Sequence, residues 1–191
     1  MSHLGPHLGP LHALLFALGS AWLVWVSRGA LRQPRSHGFA RFFAFEAILA
    51  LLLLNYPHWE RDMFAPRQLL SWALLAASIA LVGLALRQMR RLGRRDATRA
   101  DPALFGFEKT ATLVTSGIFR WWRHPMYASL MALAWGIFLK NPSLPGTGLV
   151  AVASLSLLVT AWRDEAECLA YFGPAYADYM RRSWRFVPGL Y

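Results

Sequence analysis

With 191 residues, 56% of them hydrophobic and only 16% charged, the chain is too apolar for an ordinary water-soluble domain of its size. Its net charge of +10 invites a nucleic-acid reading, yet the Lys and Arg lie almost wholly between long apolar runs, which argues for membrane topology instead. The single cysteine, Cys168, excludes an intramolecular disulfide framework and a cysteine-based structural zinc site, and reads as a packing residue.

A bilayer core of about 30 Å needs roughly 20 apolar residues of helix. Residues 8–26 provide a first run, 39–56 a second and 69–86 a third without any charge. Residues 126–139 give a shorter fourth run and 144–162 a fifth. Pro142 and Pro145 flank the turn between these two, which predicts a helical hairpin. The fourth run crosses fully only if residues 119–122 join it, if the bilayer thins, or if it is buried against protein.

The expected fold is therefore an all-α integral membrane domain of five transmembrane helices over residues 1–191. Three helices and a basic loop occupy 1–100; a motif region, the hairpin and a C-terminal cap occupy 101–191.

Loop charges orient the bundle. Arg28, Arg32, Arg35 and Arg41 surround the first connection without an acid. Arg87, Arg90, Arg91, Arg94, Arg95, Arg99, Lys109, Arg120 and Arg123 follow the third run, and Arg181, Arg182 and Arg185 follow the fifth. Glu60, Arg61, Asp62 and Arg67 cancel, and the hairpin turn carries Lys140 alone. The positive-inside rule then puts the N-terminus outside and the C-terminus in the cytoplasm. The N-terminus lacks Lys, Arg and a small-residue cleavage pattern, so the first run reads as a span and not a signal peptide. Residues 87–99 read as a helical extension of the third span along the anionic lipid surface.

Two polar clusters fall on that cytoplasmic side. In the first, Gly117 permits a tight backbone approach, and Pro125 suits the first turn of a new helix. That helix would open near His124, offering free N–H groups and a positive dipole end to a carboxylate, with Arg123 and His124 as further donors. Trp121, Trp122 and Tyr127 can stack on an aromatic ligand or anchor the interface.

The second cluster is Asp164, Glu165 and Glu167. Acids at the positive side of a membrane pair with cations or bind something cationic, such as an amine or a sulfonium, or they hold ribose hydroxyls. Glu46, about one turn inside the second span, is either functional or snorkels beside Arg41. Tyr176, Tyr179, Arg181, Arg182 and Trp184 form an amphipathic cap over the bundle mouth.

The run Thr112-Leu113-Val114-Thr115-Ser116-Gly117-Ile118-Phe119-Arg120, ending in Arg123-His124-Pro125-Met126-Tyr127, resembles the cofactor motif of the isoprenylcysteine carboxyl methyltransferases. More distantly, it resembles that of the phospholipid N-methyltransferases. The acids, Phe172-Gly173, Tyr176, Tyr179 and Arg185-Phe186-Val187-Pro188 are similar to the family's second block, so the resemblance covers about residues 104–191.

The resemblance implies S-adenosylmethionine at the cytoplasmic bundle mouth and a membrane lipid or hydrophobic small molecule as acceptor, with no nucleic acid and no obligate protein partner. It carries the cofactor role to Thr112, Leu113, Val114, Phe119, His124, Pro125, Met126, Tyr127, Asp164, Glu165 and Glu167. Arg123 and Arg163 are expected near the acceptor, with Glu46 as a further catalytic candidate.

Three positions depart from the pattern. The family's Glu-Glu pair is Asp164-Glu165 here, Thr160 stands where the carboxyl methyltransferases place a substrate-binding Arg, and Ser129 replaces a common Gly. Arg163 and Glu167 keep the i, i+4 spacing.

Methyl transfer from a sulfonium is an in-line displacement, so the protein positions the reactants and excludes water. A carboxylate acceptor needs no base, whereas an amine or thiol must arrive deprotonated. Glu165→Ala or His124→Ala is expected to abolish cofactor binding in a folded protein. The ending Arg163-Asp164-Glu165, Cys168, Tyr171, Gly173, Tyr176, Tyr179 and Pro188-Gly189-Leu190-Tyr191 also resembles NADPH-dependent sterol reductases. A third alternative is a non-catalytic protein that retains the fold. The small Arg-rich chain favours a bacterial inner membrane.

Overall fold

A computed structural model describes residues 9–93, 104–105 and 108–186 of the chain. Proline sets where most of its helices begin. Pro10, Pro66, Pro125 and Pro174 open α1 (Pro10–Leu31), α3 (Pro66–Leu92), α4 (Pro125–Phe138) and α6 (Pro174–Arg181), at a position whose N–H has no intrahelical partner anyway. Serine caps open the other two. Ser36 Oγ accepts from Phe39 N–H at α2 (His37–Asn55), and Ser143 Oγ accepts from Gly146 N–H at α5 (Leu144–Phe172).

Among the described residues, four helical segments are long and apolar enough to cross a membrane: α1, α2 with its following turn, α3 and α5. Leu11, Trp22, Trp25, Ile79 and Leu155 are all exposed, as lipid-facing side chains should be.

The short fourth run is a helix of its own, α4, and one of the three ways to accommodate it is ruled out. Residues 119–122 do not extend α4, because Gly117–Arg120 is a separate 3-10 turn and the backbone is non-helical at His124. The 14 residues of α4 reach only about 21 Å. Its C-terminal carbonyls are met by side chains instead of lipid: Asn55 Nδ2 donates to Ile137 O at 2.8 Å, Arg67 to Leu139 O at 2.9 Å and to Lys140 O at 2.8 Å. Burial against protein thus accommodates its shortness.

Beyond the expected end at residue 162, α5 continues to Phe172 and carries Asp164, Glu165 and Glu167 on its last turns. The extension of α3 reaches Leu92; Arg94, Arg95, Arg99 and the tail beyond Phe186 lie outside the described residues.

The main contacts are α2 on α5, α3 on α4 and α1 on α2. Buried Ala44, Ala47, Ala153 and Ala161 let α2 and α5 approach closely, and Ser71 Oγ donates to Gly136 O at 2.7 Å across the α3–α4 seam.

Between α5 and α6, Gly173 adopts φ 59° and ψ −136°, a conformation that side chains disfavour. A Cβ there would meet nothing within 4 Å, so backbone strain alone decides the effect of a substitution. Gly173→Ala is expected to cost about 1–3 kcal/mol and to lower the melting temperature in detergent. An unchanged melt would show that this turn is not held in the strained conformation.

Candidate active site

At one end of the bundle, the end of α3, the segment holding Leu104 and Glu108, the start of α4, the end of α5 and α6 line a cavity of about 120 Å3 that opens to the outside. The approach to α4 is fixed by backbone pairing with the chain after α6. Arg123 N–H donates to Trp184 O at 2.7 Å, and Trp184 N–H donates to Trp121 O at 2.9 Å. Tyr179 O–H donates to Phe119 O at 2.6 Å, pinning α6 over the same segment.

Of the residues expected at the cofactor, Leu113, Val114, Phe119, His124, Pro125, Met126, Tyr127 and Asp164 line this cavity, and Arg123 does too. Tyr176 and Tyr179 of the expected cap also line it, both buried. Burial raises both phenols above their ordinary value, so they stay neutral O–H groups.

Of the three acids at the end of α5, Asp164 is the one that faces the cavity. Its Oδ2 accepts from Tyr127 O–H at 3.1 Å and lies 3.4 Å from His124 Nδ1. Burial pulls the His124 pKa down, but the hydrogen bonds to Asp164 and Glu165 and the charges of both outweigh it, so the imidazole titrates above its ordinary 6.5.

Glu165 sits behind the wall, in a knot of cations. Arg123 Nε and Arg185 Nε each donate to its Oε1 at 2.9 Å, Arg185 also reaches Oε2 at 2.5 Å, and His124 Nε2 is 3.3 Å away. Arg123 additionally donates to Met180 O at 2.8 Å and to Ser183 O. Its guanidinium is therefore spent on tying α5 to the segment around α6.

The other candidates stand elsewhere. Thr112 is exposed, outside the cavity wall. Arg163, expected near the acceptor, donates to Pro34 O at 2.7 Å and Ser36 O at 3.1 Å and braces the α1–α2 turn. Glu46 accepts from Ser20 Oγ at 2.7 Å, joining α2 to α1. Glu167 turns to α2, where its Oε2 meets His37 Nδ1 at 2.7 Å.

Sequence reasoning did not single out Glu108, which lines the cavity and binds Arg41 at 2.5 Å. The signal was available: it is an acid within the basic stretch between Arg87 and Arg123, the same anomaly that flagged Asp164.

A family model described as phospholipid methyltransferase matches residues 67–172, from α3 through α5. The cobalt-zinc-cadmium resistance protein CzcN of Cupriavidus metallidurans is 31% identical over 143 residues, which cover 75% of this chain and 59% of that protein. Protein-S-isoprenylcysteine O-methyltransferase of Homo sapiens is 31% identical over 83 residues, 38% of this chain and 26% of that protein. Delta(14)-sterol reductase TM7SF2 of Mus musculus is 35% identical over 103 residues, 48% and 24% respectively. The chain thus spans less than two thirds of the length of these relatives. No solved structure matches it.

Proposed function

Since the chain belongs to the phospholipid methyltransferase family, we propose that it is a membrane methyltransferase that takes S-adenosylmethionine in the cavity and methylates a lipidic or hydrophobic small-molecule acceptor. The observation that carries this reading is the Asp164–His124–Tyr127 constellation on the wall of a cavity lined mostly by aromatic and aliphatic side chains, with Glu108 and Arg123 as its other charged groups.

The residues fit the cofactor's chemistry. Asp164 offers an anionic oxygen to a cationic group, and the open N–H groups of the first turn of α4 suit a carboxylate. Leu113, Val114 and Phe119 supply an apolar wall for a purine ring. When bound, S-adenosylmethionine supplies an electrophilic methyl on a positively charged sulfur. The chain's own part is to hold the reactants in line and to keep water out, with Tyr176, Tyr179 and α6 as the cover.

In the same reading the chain is one domain of a bacterial inner membrane. Its cavity opens to the cytoplasm, and it works without an obligate protein partner.

Calorimetric titration of the detergent-purified protein with S-adenosylhomocysteine, with NADPH in parallel, tests the reading. Saturable binding of S-adenosylhomocysteine alone is expected. Binding of NADPH alone would favour the second reading, a reductase, which draws on the similarity to the Mus musculus sterol reductase.

A further inference from the structure

Three tyrosines line the cavity, Tyr127, Tyr176 and Tyr179, and all three are buried. Two of their hydroxyls are committed inside the protein. Tyr127 O–H donates to Asp164 Oδ2 at 3.1 Å, and Tyr179 O–H donates to Phe119 O at 2.6 Å. The third hydroxyl is not. Tyr176 is only 3% exposed, yet its O–H makes no hydrogen bond to any of the described residues.

The Tyr176 ring is held in place without that hydroxyl. Its backbone N–H donates to Gly173 O at 3.1 Å in the first turn of α6, and its ring meets the Tyr179 ring edge-on with centroids 5.7 Å apart. A buried hydroxyl without a partner is unfavourable, and a phenyl ring would fill the same space at no such cost. The O–H is therefore of use to something that enters the cavity.

The chemistry of the site narrows what that is. Burial first, then the neighbouring Cys168, Asp164 and Glu165, raise the Tyr176 phenol above its ordinary value, so it serves as a donor and not as a base. A donor placed on the nucleophilic atom of the methyl acceptor would tie up the electron pair that the displacement needs. The cofactor's carboxylate is ill placed there too, because the charges of Asp164 and Glu165 act at Tyr176. The open N–H groups at the start of α4 suit that carboxylate better. The acceptors left on S-adenosylmethionine are the ring nitrogens of adenine and the oxygens of ribose.

We propose that Tyr176 is a cofactor-binding residue whose hydroxyl donates to the nucleoside half of S-adenosylmethionine, so that α6 grips the cofactor as well as covering it. The proposal rests on the methyltransferase reading. It gives different roles to two rings that stand three residues apart on one face of α6. Tyr179 fastens the helix to the segment before α4, and Tyr176 reaches the ligand from the helix so fixed.

Tyr176→Phe and Tyr179→Phe separate these roles in the detergent-purified chain. Without ligand, Tyr176→Phe should melt at or above the parent's temperature, because it removes a hydroxyl that has no partner. Tyr179→Phe should melt lower, because Phe119 O loses its donor. In calorimetry, Tyr176→Phe should bind S-adenosylhomocysteine about five- to tenfold more weakly, as for the loss of one neutral hydrogen bond. Methylthioadenosine keeps the adenine and the ribose and lacks the amino-acid arm, so its affinity should fall by the same factor.

Unchanged S-adenosylhomocysteine binding by Tyr176→Phe would overturn the proposal. So would a loss that spares methylthioadenosine, which would move the hydroxyl to the amino-acid arm, or a parent that binds S-adenosylhomocysteine but not methylthioadenosine. A ligand-free Tyr176→Phe protein that melts as low as Tyr179→Phe would also sink it, by giving the hydroxyl a partner within the protein. Failure of the unaltered chain to bind S-adenosylhomocysteine would instead defeat the methyltransferase reading, and the Tyr176 assignment with it.

Discussion

Glu165→Ala is expected to destabilise the protein by about 3–5 kcal/mol, enough to prevent folding in many detergents. The carboxylate neutralises two arginines from different parts of the chain, Arg123 before α4 and Arg185 after α6, and all three side chains are nearly buried. Removing it leaves two guanidiniums without their anion, and a buried charge that has lost its partner is far costlier than the intact pair is stabilising. This differs from the expectation that Glu165→Ala would empty a binding site in a folded protein.

Thermal melts and hydrogen exchange of Glu165→Ala and Glu165→Gln test it, with the amide variant less damaged because it still accepts hydrogen bonds. A Glu165→Ala protein that melts like the parent yet binds no S-adenosylhomocysteine would return Glu165 to the cofactor. The same melts carry a pH signature from His124. Its pKa is raised on folding, so its stabilisation is complete below the ordinary value of 6.5 and is lost as pH rises through the raised folded value. Melting temperature should therefore fall toward alkaline pH, and His124→Gln should flatten that slope.

Local physics made much of this fold legible. Apolar runs marked the four long helices, prolines marked helix starts, and the motif before α4 named most of the cavity wall. What stayed hidden depends on direction and distance. Successive helical side chains diverge by about 100°, so the neighbours Arg163, Asp164 and Glu165 face the α1–α2 turn, the cavity and the arginine knot respectively. Spacing put all three at the membrane edge but could not choose among their partners. His37 and Arg41 meet Glu167 and Glu108 across 130 and 67 residues of chain, and no local pattern announces such pairs. The shortness of α4 was visible, whereas the Asn55 and Arg67 donors that make it tolerable arrive from other helices.

Asp164→Asn should do the opposite of Glu165→Ala: leave the fold intact and weaken S-adenosylhomocysteine binding. The amide has the same shape and can still accept from Tyr127 O–H, now found at 3.1 Å. What it lacks is the charge on the cavity wall. A hydrogen bond to a charged group is worth about 1.5–3 kcal/mol, and each 1.4 kcal/mol or so is tenfold in affinity, so binding should fall roughly ten- to a hundredfold. Calorimetry beside a thermal melt separates this from unfolding. The ratio of the losses for S-adenosylmethionine and S-adenosylhomocysteine then locates the carboxylate. A greater loss for the sulfonium compound puts Asp164 against the positive sulfur; equal losses put it at the amino or ribose end that both share. Should Asp164→Asn bind both ligands as tightly as the parent, the cavity's other acid, Glu108, becomes the cofactor's anion.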